Sequence, residues 1–342
     1  MFGFKSKDIG IDLGTANTLL SVSGKGIVLR EPTVVAINRQ TGELIATGYE
    51  AKSMLGRTPD NIYAIRPLKD GVIADFSATQ LLLKDMVKRV CARQKISRPR
   101  ILVCVPTGVT EVEERAVEEA VLEAGGKKAY IMEEPMAAAI GAGLSVSDAS
   151  GCMIVDIGGG TSEIAVISLG GIVTSKSIRT AGDELDESII MYMKKEYNLM
   201  IGERTAEEIK IGIGSAYPSS VQETMQVRGR DLVTGLPKTV EVKSDEIELA
   251  MKEPIKEIVE GIKMTLERTP PELSADIMEK GIMLAGGGAQ IKGLDMLISQ
   301  ETGMPVYIAE NSLDCVVNGA KKVLDDLERL QGVLANTRQI RR

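Results

Sequence analysis

Two glycine-rich turns carry the residues of this sequence that are best suited to chemistry. In the first turn, Asp12 ends an apolar segment and is followed by Gly14 and Thr15. In the second, Asp156 precedes the run Gly-Gly-Gly-Thr at 158–161. Backbone N–H groups in such a turn converge with the threonine hydroxyl on one point, which suits phosphate oxygens, and the aspartate is placed to hold Mg²⁺ through water. Each turn therefore predicts half of a polyphosphate site, although either one alone is more simply a tight turn.

Both turns belong to one local pattern, repeated 144 residues apart between Asp12 and Asp156 (156 − 12 = 144). An apolar strand, the aspartate, the glycine turn and a second apolar strand predict a β-hairpin in each copy. Because the turns lead into strands and the chain has no GxxxxGK[ST] motif, neither is a P-loop. Two distant copies predict two related halves with a boundary near residue 145. If the halves face each other across a cleft, the carboxylates meet near one metal ion and the turns hold one polyphosphate from opposite sides.

A third glycine-rich element runs from Gly281 to Ala289 and leads into a helix predicted at Ile291–Glu301. The N–H groups at the start of that helix could meet an α-phosphate, or adenine could lie against the bare backbone of the glycines. The alternative is that close packing of the strand and helix selects glycine.

Two acids, Glu133 and Glu134, stand directly before Pro135, which suits the first turn of a helix. Their simplest role is to complement the helix dipole. Glu134, which adjoins the proline, is also our candidate for orienting the water that attacks a γ-phosphate.

A helix is also predicted near Ala206–Ser215, where Thr205 and Glu208 form a capping-box pattern. Glu207 and Lys210 lie three residues apart on one face of that helix. The sequence leaves two interpretations of them open, an ion pair within the helix and contacts to a ribose.

The remaining elements alternate between strands and helices, so the fold class is α/β. A long helical stripe from Ile247 to Leu266 contains Pro254, which we expect to kink or divide the helix. The other predictions are a strand at 101–106, helices at 111–124 and 185–197, and a strand-rich stretch at 224–242 with a turn at 234–237.

Composition excludes several classes of protein. The 342 residues include no His, which excludes Ser-His-Asp and Cys-His hydrolysis, His-ligated zinc and His-held haem. The net charge of −7 disfavours a protein that binds nucleic acid over its whole surface. The four cysteines lack a CxxC motif, so we expect reduced thiols. No apolar run reaches the roughly 18 residues of a membrane span and no signal peptide is visible, so we expect a cytoplasmic protein.

One basic segment, Lys88–Arg100, has six Lys or Arg residues and no acid. Such a patch suits an anionic lipid surface, at about 1 kcal/mol per basic residue close to the surface. The alternative is a solvated helix end and loop. Nucleic acid fits less well, because the segment has no aromatic residue on which bases could stack.

These motifs resemble those of the actin, Hsp70 and sugar-kinase superfamily. Its phosphate 1, phosphate 2, connecting and adenosine motifs correspond to Asp12–Thr15, Asp156–Thr161, Glu134-Pro135 and Gly286–Gly288. Over essentially the whole chain the sequence is more closely similar to the bacterial actin homologues of the MreB family. That similarity rests on Ile11–Thr18, Glu31–Ala36, Arg66–Asp75, Glu133–Gly141 and Ile211–Pro218.

The resemblance implies an actin-like (ribonuclease H-like) duplicated fold, in which two halves with four subdomains surround a nucleotide cleft. It implies a first half at 1–145 (subdomain IA, with IB inserted at about 33–65), a second half at 146–314 (IIA, with IIB inserted at about 182–242), and a C-terminal helix at 315–342 that returns to IA. ATP and Mg²⁺ would occupy the cleft, and slow ATP hydrolysis would regulate a polymer.

Residue by residue, the resemblance implies Glu134 as the water-activating acid and Asp12 and Asp156 as the Mg²⁺ residues, acting through water. The nucleotide-binding residues that it implies are Asp12, Gly14, Thr15, Ala16, Asn17, Gly158, Gly159, Gly160, Thr161, Glu207, Lys210, Gly286, Gly287, Gly288 and Ala289.

The partners that it implies are copies of the chain itself in antiparallel double protofilaments, the anionic inner face of the cell membrane, and membrane proteins of the cell-wall elongation machinery. The role implied is maintenance of rod shape. Many relatives have a longer amphipathic N-terminal helix, whereas this chain offers only Phe2, Phe4 and two lysines. We therefore expect Phe2 and Phe4 to act with Lys88–Arg100, and we expect no nucleic acid partner.

Two other functions use the same cleft. A small-molecule kinase would also bind a sugar or acetate hydroxyl, but several kinases of this length use zinc-binding His and Cys residues, and this chain has no His. A chaperone-type ATPase module would couple its nucleotide to a client and stay monomeric, but an Hsp70 would need a further substrate-binding domain.

Overall fold

A computed structural model describes residues 8–218 and 221–330 of the chain. The predicted anchors Phe2 and Phe4 lie outside these ranges. The strands are β1 (Ile9–Leu13), β2 (Asn17–Val22), β3 (Gly26–Pro32), β4 (Val35–Asn38), β5 (Leu44–Thr47), β6 (Ile62–Ile65), β7 (Leu68–Lys69), β8 (Val72–Ile73), β9 (Arg100–Val105), β10 (Lys128–Glu133), β11 (Cys152–Ile157), β12 (Ser162–Ser168), β13 (Gly171–Ile178), β14 (Leu199–Met200), β15 (Thr224–Asp231), β16 (Pro237–Lys243), β17 (Ile282–Ala285) and β18 (Val306–Ile308). The helices are α1 (Gly48–Met54), α2 (Phe76–Gln94), α3 (Glu111–Glu123), α4 (Glu134–Ala142), α5 (Gly182–Tyr197), α6 (Glu203–Ile213), α7 (Ser244–Glu267), α8 (Pro271–Lys280), α9 (Leu294–Thr302), α10 (Cys315–Asp325) and α11 (Leu327–Leu330).

Two five-stranded sheets share one topology, which confirms the duplication predicted from the repeated hairpin. Their strand orders are β10-β9-β1-β2-β3 and β18-β17-β11-β12-β13. In each sheet the hairpin strand that carries the aspartate pairs antiparallel with the next strand and parallel with a later one. Strands β1 and β11 are central and almost fully buried, as their nearly continuous apolar sequences require. Three smaller sheets, β5-β4-β6, β14-β15-β16 and β7-β8, complete the architecture of the described residues.

Two helices connect the two large sheets, because each helix follows one sheet in the chain and packs on the other. Helix α4 follows β10 of the first sheet but packs on β11 and β12 of the second, whereas α10 follows the second sheet and packs on β1 and β2 of the first. The helices also pack closely on each other. A Cβ atom at Gly141 would overlap the carbonyl group of Cys315, and one at Gly319 would overlap that of Ala137. The absence of these side chains is what allows the two helix backbones to come so close.

Two of the predicted local features are wrong, the capping box of α6 and the start of α9. Helix α6 begins at Glu203 after the N-cap Gly202, so Thr205 and Glu208 lie inside the helix and form no capping box. The reason is that the Thr205 and Ala206 N–H groups already donate to the Gly202 carbonyl, at 3.0 and 3.1 Å, which starts the helix earlier.

Two further observations concern a proline and a glycine. Helix α7 is continuous across Pro254, so of the two outcomes expected there the helix is not divided, and the proline is buried on the face of α7 that packs on β12 and β13. The Gly281–Ala289 element leads into a short 3₁₀ turn at Gly288–Gln290, and α9 begins only at Leu294. Gly293, with φ of 73°, has a left-handed conformation that interrupts the helix predicted from Ile291.

Replacement of Gly319 by alanine tests the close contact of α4 and α10. We expect Gly319→Ala to lower the free energy of unfolding by about 1–3 kcal/mol, because the helices must separate to admit the methyl group. The matched control is Gly212→Ala in α6, where the added Cβ would meet only Met225 Sδ, at 3.5 Å. That change should be neutral or stabilising by up to about 1 kcal/mol. Urea denaturation followed by circular dichroism measures both, and equal stabilities would contradict the prediction.

Candidate functional site

The two glycine turns predicted from the sequence meet in the folded chain. Each is closed in the same way, since the Gly14 N–H donates to the Asn17 carbonyl at 3.1 Å and the Gly158 N–H to that of Thr161 at 2.9 Å. A Cβ atom at Gly159 would lie 2.7 Å from the Ala16 Cβ. Glycine is therefore required where the turns face each other, because a larger residue would push the two halves apart.

Further contacts connect the two turns with each other and with Gly71 and Thr33 of the first half. A Cβ atom at Gly160 would lie 2.6 Å from the Thr15 Oγ1 atom. The same hydroxyl accepts the Gly71 N–H at 3.1 Å, and a Cβ at Gly71 would lie 2.7 Å from the Thr161 methyl carbon. The Thr33 hydroxyl donates to the Gly14 carbonyl at 2.6 Å. The backbone around both turns is thus supported from several elements.

Four carboxyl groups gather beneath these turns. Asp12 on β1 and Asp156 on β11 occupy matching strands, and Glu134 begins α4 with 9% of its surface exposed. Glu163, which pairs with Asp156 in the β11–β12 register, is almost fully buried. Sequence reasoning missed Glu163, although an acid directly before the apolar run 164–167 of β12 was a visible signal.

Burial raises the pKa of each of these acids. Loss of water, with the negative charge of Asp314 added, raises the pKa of Asp12 to about 7, while Arg30 lowers it. Burial, Asp12 and Glu163 raise the pKa of Asp156 to about 8. Burial, together with Glu163, Asp12 and Asp156, raises the pKa of Glu134 well above its usual range. The cluster therefore favours protons or a bound cation, either of which lessens the repulsion.

The donor set fits Mg²⁺. Carboxylate oxygens are the ligands that this ion prefers, and it keeps several waters while taking only one or two carboxylates plus phosphate oxygens. Within residues 8–218 and 221–330 no three acidic or cysteine side chains converge as a complete metal site. Asp12 and Asp156 could accordingly hold the ion together with water and a polyphosphate, as the sequence predicted.

The third glycine element lies against the second aspartate. A Cβ atom at Gly286 would overlap the Asp156 carboxylate and the Ile157 carbonyl, and one at Gly288 would overlap the Ile157 side chain. Close packing against β11 thus explains glycine at these two positions. Gly287 instead faces Leu313, a residue that is 43% exposed. The Leu313 Cδ2 atom lies 3.3 Å from the position that a Cβ atom of Gly287 would take. Sequence reasoning missed Leu313, which places an apolar wall beside the glycines.

Glu207 and Lys210 do not pair with each other, which corrects the simpler of the two interpretations. Glu207 forms an ion pair with Lys52 of α1 at 2.7 Å, and Lys210 forms one with Asp186 of α5 at 2.9 Å. The Lys210 ammonium also donates to the Gly182 carbonyl at 2.7 Å. Glu207 and Lys210 thus each pair with a residue of another helix, and not with each other. Lys210 thereby secures the start of α5, next to the second glycine turn.

Some of the cationic side chains in the basic segment Lys88–Arg100 are engaged in ion pairs. Arg89 pairs with Glu31 and Asp85, and Arg100 pairs with Asp8. Both therefore stabilise the first half. The side chains of the segment that remain exposed with no ion pair among the described residues are Lys88, Arg93, Lys95 and Arg98. No helix in the part of the chain that the structure describes is long and apolar enough to cross a membrane.

Comparison with known proteins gives consistent matches along the chain. The sequence model of a family described as "MreB/Mbl protein" matches residues 6–332. The cell shape-determining protein Mbl of Bacillus subtilis (strain 168) is 53% identical over 325 residues, which cover 95% of this chain and 98% of that protein. The cell shape-determining protein MreB of Escherichia coli (strain K12) is 51% identical over 337 residues, with 97% of each chain covered.

Among solved structures, the chain is similar to MreB5 of Spiroplasma citri bound to AMPPNP. The TM-score is 0.89 at 41% identity, with 95% of this chain and 97% of that chain covered.

The raised pKa values predict how stability depends on pH in the protein without metal or nucleotide. A carboxyl group whose pKa is higher in the folded than in the unfolded protein binds more protons when folded. Its contribution is therefore complete below the unfolded pKa of about 3.9 and is lost as the pH rises through the folded pKa. For Asp156 that loss extends to about pH 8.

We expect the free energy of unfolding to fall from about pH 6 to about pH 8.5, and Asp156→Asn to reduce this slope by up to about 1.4 kcal/mol per pH unit. Urea titrations at both pH values measure the free energy of unfolding, and their difference gives the slope. Asp60→Asn, which changes an exposed acid, is the control and should keep the wild-type slope. Identical slopes for the wild type and Asp156→Asn would contradict the assignment.

Proposed function

Because this chain belongs to the MreB/Mbl family and has the actin-like fold that its sequence predicted, we propose that it is an ATP-dependent, actin-like filament protein that maintains rod cell shape. The observation that carries the proposal is the meeting of two duplicated glycine turns above Asp12 and Asp156. Two relatives that are about half identical to it are named as cell shape-determining proteins, which supports the cellular role.

The turns would hold the polyphosphate of ATP between them. In this proposal, backbone N–H groups of the first turn come from Gly14, Thr15, Ala16 and Asn17, and those of the second from Gly158, Gly159, Gly160 and Thr161. Asp12 and Asp156 would hold Mg²⁺ through water, which would neutralise charge on the phosphates. The AMPPNP-bound structure of the Spiroplasma citri relative supports a nucleotide ligand.

The nucleoside would lie beside the second half of the cleft. Adenine would rest on Gly286–Ala289, with the apolar Leu313 at its side. Glu207 and Lys210, on the adjoining helix α6, would face the ribose. One oxygen of Glu207 is engaged by Lys52, which leaves the other free to accept a hydrogen bond from a sugar hydroxyl.

Glu134 would orient the water that attacks the γ-phosphate. Its support is its position, since it starts α4 in the buried cluster with Asp12 and Asp156. A carboxylate there accepts a hydrogen bond from water and needs no covalent intermediate. Slow hydrolysis after assembly would then act as a timer on the filament.

We also propose the division into subdomains that the sequence implied. The small sheet β5-β4-β6 falls in the insertion at 33–65, and β14-β15-β16 largely in that at 182–242. Residues 1–145 and 146–314 would supply the two large subdomains, and the segment at 315–342 would return to the first half. The packing of α10 on β1 and β2 supports that return.

The proposed function also includes how copies of the chain assemble and where in the cell they do so. Copies of the chain would form antiparallel double protofilaments on the cytoplasmic face of the cell membrane, where membrane proteins of the elongation machinery would bind them. The membrane contact would combine Phe2 and Phe4 with the four exposed cations of Lys88–Arg100. Each such cation contributes about 1 kcal/mol near an anionic surface.

Removal of the Glu134 carboxyl tests its role. We expect Glu134→Ala to bind ATP and sediment as filaments like the wild type but to release phosphate about 100-fold more slowly, because the attacking water loses its acceptor. The control is Glu133→Ala, which removes the adjacent acid, whose side chain makes no capping hydrogen bond. Phosphate release and sedimentation are measured in parallel. Normal phosphate release by Glu134→Ala would exclude the assignment.

Membrane binding is tested with a charge variant and a charge-matched control. We expect the fourfold replacement of Lys88, Arg93, Lys95 and Arg98 by Gln to weaken co-sedimentation with phosphatidylglycerol vesicles at least about tenfold. The control replaces Lys194, Lys195, Lys252 and Lys256 by Gln, which removes the same charge from exposed positions on α5 and α7. Equal losses in both variants would show that net charge, and not this patch, controls the binding. Electron microscopy of the pellets with ATP and Mg²⁺ shows whether paired filaments form.

A further inference from the structure

Ion pairs bridge the two halves of the chain near the glycine turns. The Lys52 ammonium on α1 lies 2.7 Å from the Glu207 carboxylate on α6. Arg66, just after β6, lies 3.0 Å from Asp183 and 3.6 Å from Glu203. Both cations belong to the first half and all three acids to the second. The roles proposed above for the phosphates, the metal ion and the attacking water do not use these pairs, and of the five residues only Glu207 has a second proposed role, toward the ribose.

The Arg66 pair is linked directly to the second glycine turn. Asp183, its partner, donates its backbone N–H to the Gly159 carbonyl at 2.7 Å, and the neighbouring Gly182 donates to Gly158 at 3.1 Å. Gly159 in turn faces Ala16 of the first turn. A change in the distance from Arg66 to Asp183 is therefore transmitted to the contact between the turns.

The Lys52 pair is linked to the nucleoside side of the cleft. Glu207 shares α6 with Lys210, which holds the Gly182 carbonyl and Asp186. The two bridges thus act on the same unit, made of α5, α6 and the second turn, from two positions on the first half. Each attachment adds its own resistance to a separation of the halves.

We propose that Lys52, Arg66, Asp183, Glu203 and Glu207 form a cleft latch that holds the halves together over a bound nucleotide and sets how fast the nucleotide leaves. The effect on release rests on the proposed function, because it requires nucleotide in the cleft. The bridging of the halves by the ion pairs does not.

The exposure of these side chains makes the latch reversible. Lys52 and Glu207 are 30% and 31% exposed, and Arg66 and Asp183 are 25% and 37% exposed. Ion pairs that retain this much water are weak, and each changes an equilibrium by up to about fivefold. Salt screens them as well. The latch therefore opens without large cost, and added salt should open it.

The test measures release of etheno-ATP, a fluorescent analogue with an unmodified ribose, after mixing with excess ATP in the presence of Mg²⁺. We expect Lys52→Gln and Arg66→Gln each to raise the dissociation rate constant about three- to fivefold. The double variant should raise it by roughly the product of the two factors, because the pairs act at separate positions. Added KCl should accelerate release from the wild type and have little effect on the double variant.

The control is Arg204→Gln, which breaks the pair of Arg204 with Glu208 at 3.0 Å within α6 of the same half. This exposed pair does not cross the cleft, so the rate should stay at the wild-type value. Circular dichroism melting establishes that all variants are folded. Wild-type rates in both bridging variants, or an equal acceleration in Arg204→Gln, would overturn the latch.

Small-angle X-ray scattering of the monomer without nucleotide separates the latch from the proposed function. If the wild type binds no etheno-ATP, the proposed nucleotide binding is wrong, but the shape of the double variant still tests the bridges. We expect its radius of gyration to exceed that of the wild type at low salt and the two to converge at high salt. Equal radii at low salt would overturn the latch.

Discussion

The close crossing of α4 and α10 is the constraint on which the rest of the structure depends. Each helix leaves one sheet and packs on the other, and Gly141 and Gly319 let their backbones meet with no side chain between them. The crossing sets the distance between β1 and β11, because each helix is packed against one of these strands. Glu134 begins α4, so the same crossing also fixes this acid against both aspartates. A larger residue in the crossing would disturb the site without touching it.

The site gathers like charges that would repel one another if they were all ionised in a dry interior. Asp12, Glu134, Asp156 and Glu163 have raised pKa values because burial removes water from all of them. Such an arrangement is unfavourable until protons or a cation offset the charge. Bound protons or a cation would therefore stabilise the cluster, and the stability of the protein depends on what occupies it. Glu163 is held in this cluster by the Thr107 N–H and the Ser177 hydroxyl.

The two halves are joined in two different ways. The crossing of α4 and α10 is tightly packed and largely apolar, and it tolerates little change in volume. Lys52 and Arg66, in contrast, reach the second half through partly exposed ion pairs. A rigid joint combined with weak bridges is suited to a small rotation that opens and closes the cleft.

The sequence by itself determined the local elements and the duplication. The hairpins around Asp12 and Asp156 were predictable because strand, turn and strand are encoded within about twenty residues. The start of α6 was not, since backbone bonds to Gly202 outweighed the pattern at Thr205. Glu163 was missed although its cross-strand neighbour Asp156 is only seven residues away (163 − 156 = 7), because the sequence does not show that Glu134 of the first half lies beside them. Leu313 was missed because the glycines that it faces belong to a separate element. Only the tertiary structure decided that Glu207 pairs with Lys52, which lies 155 residues away in the chain, and not with Lys210 on its own helix. The physical reason is that the choice among charged partners depends on which elements pack together, and no local spacing contains that information.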